Sequence, residues 1–259
     1  MIRSCDCHLH SRHSPDSRET MAAHCARAAA LGLDALCFTE HYDFDPQSLG
    51  HYHADDFFAE LGRLRAEYAG RLTLLAGLEF SEPHNHPREF EAMAALPYDF
   101  LLGSIHYYLG GLFVGEMAAR GMDPQLCYDA YWDQVRQMVA FGGFDAVGHL
   151  DFPKRYFRKL LYDPAALDDI FALMRKNRIL LEVNSSSLRQ GRDEPMPGEA
   201  LLRQYISHGF TEITLGSDAH TAGDLYRDVP AARALAASLG LVPVCLIERK
   251  RYALASEHR

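Results

Sequence analysis

The sequence contains no long run of apolar residues. No stretch approaches the roughly 18 consecutive apolar residues of a membrane-spanning helix, and the first residues, MIRSCDCHLH, lack the apolar core of a signal peptide. Paired cysteines are lacking too, because the six cysteines are scattered and form no Cys-x-x-Cys pair. Scattered cysteines are typical of reduced thiols rather than of a disulfide framework, so we expect a cytoplasmic protein.

An excess of basic residues is also absent. The chain has 26 Lys and Arg against 35 Asp and Glu, and its formal net charge is −9. This balance argues against broad binding to nucleic acid or to an acidic membrane, both of which need a basic face. It does not exclude a phosphorylated substrate, because bound cations can reverse the sign of the field locally. We therefore expect a small phosphorylated partner, and the sequence leaves a homo-oligomer open.

Three motifs of nucleophilic and nucleotide-dependent enzymes are missing. The sequence has no Gly-x-Ser-x-Gly elbow, no P-loop and no dinucleotide fingerprint, since GGFDAVG lacks the Gly-x-Gly-x-x-Gly spacing. No cysteine lies in an evident reactive setting. Covalent catalysis through serine or cysteine therefore finds little support.

Short apolar segments alternate with helical segments along the 259 residues. DALCFTEH, LTLLAGLEF and RILLEVN have the length of strands, whereas SRETMAAHCARAAALG and residues 54–69 have helical patterns. This alternation predicts an α/β fold with a mainly parallel sheet. No low-complexity linker marks a boundary, so we expect one domain over residues 1–259, with residues 107–124 as a loop over one face.

Polar side chains recur where the predicted strands end. In an α/β barrel the carboxyl ends of the strands share one face, so residues far apart in sequence would converge there. In His-x-His and Asp-x-His, residues i and i+2 point to the same face of a strand and can bind one cation. Imidazole and carboxylate together suit zinc, iron or manganese better than calcium. The candidate ligands are His8, His10, Asp16, His41, Glu79, His106, His149, Asp218 and His220.

These nine candidates are too many for one ion with four to six ligands. Three divalent ions that share bridging ligands would use all of them. Three such ions carry +6, and three carboxylates offset only −3, so a charge of about +3 would remain with neutral imidazoles. A site of this charge should attract a phosphate group even in an acidic protein.

Several other residues that could belong to a polar site lie near the candidates in the sequence. Cys5 and Cys7 should pack in the core, because strand alternation turns them away from His8 and His10. Asp6 would either orient a ligand imidazole or make a hydrogen bond at the start of its strand, and Glu40 should point away from His41. His13, His84 and His86 belong either to the rim of the site or to the solvated surface. We interpret the remaining histidines as structural or surface residues: His24, His51, His53, His208 and His258.

The order of the motifs resembles a known family. DCHLH, SPDS, TEH, GLEF, GSIH, GHLD and GSDAH occur between residues 6 and 220 in the order expected of the PHP (polymerase and histidinol phosphatase) family. The resemblance implies a distorted (β/α)7 barrel with a trinuclear metal centre at the carboxyl ends of the strands. It also implies that the nine candidates are the ligands and that Glu79 bridges two ions. Asp16 departs from some relatives, which have histidine there, but it keeps a ligand.

Further segments are similar to the histidinol-phosphatase branch of that family: YDFLLGSIHY, GHLDFPKRY and LEVNSSSLRQGRDEPMPGEALL. The expected activity is hydrolysis of L-histidinol phosphate to histidinol and phosphate, in histidine biosynthesis. A metal-bridging hydroxide would be the nucleophile, with Glu79, His106 and Asp218 as the catalytic ligands. Arg155 and Arg189 are either contacts for the phosphate or the substrate end, or arginines of the surface.

Three other functions remain as alternatives. A PHP-type nuclease or nucleoside 3′,5′-bisphosphate phosphatase would share the metals but would need a groove for bases or for a polynucleotide backbone. An amidohydrolase would also begin with His-x-His, but many of those enzymes place a lysine at a strand end, and none of the lysines here occupies such a place. A non-catalytic metal-binding PHP module could lose ligands, whereas all nine positions here carry competent side chains.

Overall fold

Seven parallel strands form a distorted barrel in the computed structural model, which describes residues 2–255 and so leaves His258 outside the described residues. Its strands, in barrel order, are β1 (Cys5–Leu9), β2 (Ala35–Tyr42), β3 (Thr73–Ser81), β4 (Phe100–Ser104), β7 (Ala146–Val147), β8 (Leu180–Asn184) and β9 (Glu212–Gly216). Two short strands, β5 (Tyr107–Tyr108) and β6 (Leu112–Phe113), form a separate hairpin. The predicted α/β fold with parallel strands is confirmed.

The barrel closes between its first and last strands at the carboxyl ends. Leu9 and Ala219 form a parallel bridge. The main-chain N–H of His10 donates to the carbonyl of Ala219 at 2.8 Å, and the N–H of Asp218 donates to the carbonyl of His8 at 2.8 Å. The chain therefore brings His8 and His10 next to Asp218, more than two hundred residues away.

Helices cover the outside of the barrel and follow local signals in the sequence. The helix after β1 begins at Thr20, whose side chain accepts from the N–H of Ala23, and ends at Gly32 with φ of 71°. Asp123 and Asp163 start two further helices in the same way, each followed by proline. The helices are α1 (Met21–Leu31), α2 (Ala54–Glu67), α3 (Pro87–Ala94), α4 (Val114–Ala119), α5 (Pro124–Phe141), α6 (Lys154–Phe157), α7 (Pro164–Lys176), α8 (Ser186–Arg189), α9 (Glu199–Ser207) and α10 (Val229–Ser238).

A C-terminal hairpin crosses the amino end of the barrel. Its strands β10 (Val242–Ile247) and β11 (Lys250–Ala253) are antiparallel, and β10 begins beside β9. Its turn reaches the starts of β4 and β7, where the N–H of Glu248 donates to Asp99 at 2.9 Å and the guanidinium of Arg249 contacts Asp145 at 3.0 Å. Val244, Cys245 and Leu246 are buried against the apolar side chains inside the barrel.

The expectation of a loop after β4 meets the structure only in part. Residues 107–124, predicted as a loop, contain the β5–β6 hairpin and α4. A single domain over residues 1–259 stays a prediction. Within residues 2–255, no helix is long and apolar enough to cross a membrane.

Candidate metal centre

The polar end of the barrel begins with an irregularity in β1. Between Asp6 and Leu9 the pairing of β1 with β2 shifts by one residue. Such a bulge redirects the side chains that follow it. As a result, His8 and His10 both face the candidate ligands of other strands, while Leu9 packs in the core between the barrel and the helices.

Cys5 and Cys7 also lie inside the barrel, which corrects the expectation from strand alternation. Both are buried in the apolar cluster at the amino end, with their Sγ atoms 3.4 Å apart. The bulge is the reason, because alternation holds only in a regular strand. They do pack in the core as predicted, and every cysteine in the described part of the chain is a free thiol.

The first group of donor atoms surrounds the Nε2 atoms of His8 and His10, which are 2.9 Å apart. Glu79 Oε2 lies 3.2 Å from the first of these nitrogens and 3.6 Å from the second. Asp218 Oδ1 lies 3.9 Å and 3.5 Å from the same two nitrogens. All four side chains are buried. They come from β1, from β3 and from the segment after β9.

The second group surrounds the other oxygen of Glu79. Glu79 Oε1 lies 2.9 Å from His149 Nε2 and 3.4 Å from His106 Nε2. These two nitrogens are 3.5 Å apart. Because the two oxygens of Glu79 face different groups, the geometry fits a carboxylate shared between two ions.

The third group lies nearer the solvent. Asp16 Oδ2 is 3.0 Å from His220 Nε2 and 3.4 Å from His41 Nε2. The ring of His10 stacks on both imidazoles, with centroid distances of 4.0 Å to His41 and 4.3 Å to His220. Asp16 is the most exposed of the nine candidates, since 54% of its side chain is accessible. The structure therefore brings all nine candidates together.

The donor set fits divalent cations. Imidazole nitrogens face one another at hydrogen-bond distance, and at most one proton can lie between each such pair. A cation that accepts the lone pairs of these nitrogens removes the conflict, and carboxylate oxygens from three strands or loops balance its charge. The arrangement therefore suits metal ligands better than an ordinary buried polar network.

The charges within the centre influence one another. Burial alone would raise the pKa of the Glu79 carboxyl, but the imidazoles of His8, His41 and His106 outweigh burial and hold this pKa well below its usual value. Burial acts in the same direction on Asp218, yet His10, His8 and the guanidinium of Arg155 hold its pKa well below the usual value. Both carboxylates are thus ionised and ready to bind a cation at neutral pH.

Two of the candidates have a strained backbone. Asp218 has φ of 54° and His149 has φ of 26°, in a region that residues other than glycine rarely adopt. Conformations of this kind cost of order 1–3 kcal/mol and persist where the surrounding structure fixes them. Here the N–H of Asp218 is fixed by the carbonyl of His8, and the N–H of His149 by Glu182 Oε2.

Glu40 supports the loop after β1. As predicted, it does not join His41, and it instead accepts from the N–H and hydroxyl of Ser11 and from the hydroxyl of Ser14 at 2.6 Å. Ser14 Oγ in turn lies 3.1 Å from His10 Nδ1. Glu40 thus orients a candidate ligand through a serine.

Asp6 contacts the chain that follows β9. It accepts from the N–H groups of Ser217 and Tyr226 at 2.9 Å and from the hydroxyl of Ser217 at 2.5 Å. Of the two open alternatives for Asp6, orientation of a ligand imidazole is therefore not seen. The carboxylate holds the chain just before Asp218 instead.

Two carboxylates of the centre escaped the sequence analysis. Asp43 Oδ1 lies 3.4 Å from His106 Nδ1, and Ser81 Oγ lies 2.7 Å from the same nitrogen. Glu182 Oε1 lies 2.6 Å from His8 Nδ1. Each had a signal in the sequence: Asp43 follows His41 at the i+2 position, and Glu182 interrupts the apolar strand LLEVN.

A cavity of about 420 Å³ opens beside the three groups. Its wall consists of candidate ligands and of residues from three other segments of the chain. These residues are Asp45, Gln47, Ser48, His51, Tyr107, Phe113, Phe152, Arg155 and Tyr156.

The two arginines from the sequence analysis have different surroundings. Arg155 lines the cavity, and its Nη2 donates to Asp218 Oδ2 at 2.9 Å and to Ser186 Oγ at 2.5 Å. Arg189 does not line this cavity. Its guanidinium donates to the carbonyls of Ser217 and Asp218 at 2.9 and 3.0 Å, so it supports the strained segment that carries Asp218.

The other histidines lie outside the three groups. His13 Nε2 contacts Glu60 at 3.0 Å, and His84 Nε2 contacts Gln134 at 3.0 Å. His86 stacks on Phe44 with centroids 3.4 Å apart. His51 lines the cavity, which the sequence analysis did not anticipate. Three more histidines are on helices or their ends, as structural residues would be: His24, His53 and His208.

Residues 6–186 match the family described as the PHP domain. The matched range contains every candidate ligand except Asp218 and His220. The chain belongs to the PHP domain family. The distorted barrel and the cluster at its carboxyl end are therefore features of a member of this family, and the predicted resemblance is confirmed.

Several relatives of the chain carry the name histidinol-phosphatase. A Deinococcus radiodurans protein named "Probable histidinol-phosphatase" is 31% identical over 239 residues, which cover 87% of this chain and 89% of that one. The "Histidinol-phosphatase" of Lactococcus lactis is 27% identical, and the alignment covers 92% of both chains. Among solved structures, histidinol phosphate phosphatase from Lactococcus lactis superposes with a TM-score of 0.84 at 25% identity, over 97% of this chain and 100% of that one. That crystal structure is described as a complex with zinc, L-histidinol and phosphate.

Proposed function

We propose that this protein is a metal-dependent phosphomonoesterase that hydrolyses L-histidinol phosphate to L-histidinol and phosphate. The observation that carries the proposal is the convergence of nine donor side chains in three groups, two of which share Glu79, beside a cavity whose wall includes Arg155. The named relatives and the complex of the Lactococcus lactis enzyme support the choice of substrate.

The site would hold three divalent ions, which we propose to be zinc, iron or manganese. Each of the three donor groups has two imidazoles and at least one carboxylate within reach. Ions bound there would activate water and neutralise the charge of the phosphate oxygens. Glu79, His106 and Asp218 are the proposed catalytic ligands, because Glu79 joins two groups and the other two residues flank the cavity.

Arg155 is the proposed contact for the phosphate. Its Nη2 is held by Asp218 and Ser186, its guanidinium lies 4.8 Å from the ring centroid of Phe152, and its Nε is buried without a hydrogen-bond partner. A fixed guanidinium with a free N–H is complementary to an anionic oxygen. Without such a partner, the burial of that N–H costs free energy. In this proposal Arg189 positions the chain at Asp218 and does not contact the substrate.

Asp45, on the wall of the cavity, suits the cationic end of the substrate. Asp45 Oδ1 accepts from the N–H of Gln47 at 2.9 Å, whereas Asp45 Oδ2 is buried and has no hydrogen-bond partner. A carboxylate oxygen in this state is complementary to an ammonium group, which L-histidinol phosphate carries next to its ester. Asp45 and Arg155 would therefore bind opposite charges of one small molecule.

The same features disfavour the nucleotide-directed alternative. A nuclease needs a basic groove for a polynucleotide backbone, whereas this cavity carries acidic residues on its wall, in a chain of net charge −9. We therefore propose no nucleic-acid partner.

Within the described residues all cysteines are buried thiols, which supports the proposal of a cytoplasmic enzyme.

The proposal is tested by release of phosphate from a panel of substrates. Protein loaded with zinc or manganese is given L-histidinol phosphate, a nucleoside 3′,5′-bisphosphate or a short RNA. We expect kcat/KM for L-histidinol phosphate to exceed the other two by at least 100-fold. Turnover of the nucleotide substrates alone would overturn the assignment, and no turnover of any of them would favour a non-catalytic module.

A further inference from the structure

Glu182 occupies the space between the first and second donor groups. It lies on β8, is only 1% exposed, and has both carboxylate oxygens engaged by groups of other strands. Oε1 lies 2.6 Å from His8 Nδ1, on β1. Oε2 accepts from the main-chain N–H of His149 at 2.8 Å, just after β7.

The donors around Glu182 are fixed by their own partners. Asn184 directs its Nδ2 at the carboxylate, with distances of 3.3 and 3.4 Å, because its Oδ1 accepts from the N–H and hydroxyl of Ser186. The donor of His149 is a main-chain N–H, and the backbone sets its direction. A carboxylate only accepts hydrogen bonds, so it is the group that can satisfy all of these donors at once.

The surrounding backbone leaves space for this carboxylate. A Cβ atom added at Gly216 would lie 2.4 Å from Glu182 Oε1 and 2.4 Å from the Cβ of His8. A Cβ at Gly148 would lie 3.6 Å from Glu182 Oε2. Gly216 on β9 is therefore required where β1, β8 and β9 meet. A side chain at this position would separate Glu182 from His8.

We infer that Glu182 is a positioning residue that fixes the tautomer of His8 and the place of His149, and thereby couples two of the proposed ion positions. The contact with Oε1 keeps the proton of the His8 ring on Nδ1. The lone pair of Nε2 then points at His10, Glu79 and Asp218, as a metal ligand requires. The contact with Oε2 holds His149 in its strained conformation, with Nε2 directed at Glu79.

The substitution Glu182→Gln tests this role because it changes little except the pattern of donors and acceptors. If the amide oxygen faces His8, the NH₂ group opposes the N–H donors of His149 and Asn184. If the amide turns over, its NH₂ donates to His8 Nδ1 and places the ring proton on Nε2, where it blocks metal binding. Neither orientation reproduces the carboxylate.

The measurement is zinc affinity, obtained by competition with a chromogenic chelator, together with kcat and KM for L-histidinol phosphate. We expect Glu182→Gln to weaken zinc binding by about 10- to 100-fold and to lower kcat more than it raises KM. Glu212→Gln is the matched control, because Glu212 lies on β9 but pairs with Arg251 at the surface. It should retain wild-type zinc affinity.

The inference rests on the proposed metal centre but not on the proposed substrate, so the two can fail separately. Wild-type protein that binds no zinc would contradict the metal centre itself. Zinc affinity within twofold of wild type in folded Glu182→Gln would overturn the positioning role. If that variant does not fold, Glu182→Asp retains the charge but retracts it by one carbon from His8. Weakened zinc binding is then expected, and unchanged binding overturns the inference.

Discussion

The two ends of the barrel differ completely in chemistry although the same strands build them, and β3 shows this within five residues. Leu75, near its start, is buried in the apolar cluster with Cys37 and the C-terminal hairpin. Glu79, near its end, faces five imidazoles of the metal centre. Between them, Gly77 has no space for a side chain, because its Cβ would lie 2.6 Å from Thr39 Cγ2 and 2.8 Å from Cys37 Sγ.

The amino end of the barrel therefore stabilises the fold, and the carboxyl end carries the chemistry. The amino end is closed by apolar packing and by the hairpin turn on Asp99 and Asp145. The carboxyl end concentrates imidazoles, carboxylates and strained backbone, which oppose folding unless ions bind. Substitutions at the two ends should therefore change different measured quantities, even when they are made in the same strand.

Glu79→Gln should have the largest effect, and on activity alone. The amide cannot serve both donor groups as the carboxylate does, so we expect kcat for phosphate release to fall by at least 1000-fold, about 4 kcal/mol of barrier. The far-ultraviolet circular dichroism should match that of the wild type. Near-normal turnover by zinc-loaded Glu79→Gln would contradict the shared carboxylate.

Leu75→Ala should have the reverse profile. Removal of a fully packed leucine at the amino end should lower the free energy of unfolding by about 2–5 kcal/mol. Because the metal centre lies at the other end of the strand, kcat below the new melting transition should stay within threefold of wild type. Denaturant unfolding and steady-state kinetics on one preparation provide both values, and a large loss of kcat at unchanged stability would contradict the division between the ends.

Asp45→Asn tests whether the polar end of the barrel recognises the ammonium group of the substrate. Loss of a charged hydrogen bond to an ammonium group costs about 1.4 kcal/mol, so KM for L-histidinol phosphate should rise about tenfold with little change in kcat. A phosphate ester without an amine, such as p-nitrophenyl phosphate, should be hydrolysed as by the wild type. An equal effect on both esters would show that Asp45 does not recognise the amine.

Zinc binding should also depend on pH. Burial alone would lower the pKa of His106, but Asp43 and Glu79 outweigh burial and raise it to about 10 in the metal-free protein. Below that pH the ring holds a proton that a cation must displace, so zinc affinity should increase by up to about tenfold per pH unit between pH 6 and 9. Leu75→Ala should show the same slope, whereas affinity that does not change with pH would contradict this proton release.

The sequence was sufficient for the parts of the centre that follow regular strands. His41, Glu79, His106 and Asp218 follow apolar segments of strand length, so their convergence could be inferred from parallel topology. The barrel itself was predicted from the resemblance of the motifs to those of the family. Neither the strand pattern nor the motifs required knowledge of side-chain contacts.

The remaining features depend on geometry that a single strand pattern does not encode. The bulge in β1 reverses the inference about Cys5 and Cys7, and nothing in RSCDCHLH signals an extra residue in the pairing. Glu182 meets His8 only because β1, β8 and β9 approach one another around Gly216. The sequence also leaves Arg189 open as a substrate contact, whereas its side chain donates to the main-chain carbonyls of Ser217 and Asp218.

The most direct test of the centre is anomalous diffraction at the zinc absorption edge from a crystal of the zinc-loaded protein. We expect three peaks at the carboxyl end of the barrel: one next to His8 and His10, one next to His106 and His149, and one next to His41 and His220. Glu79 should lie between the first two. Fewer than two peaks among these residues, or peaks only elsewhere on the protein, would contradict a multinuclear centre built from these side chains.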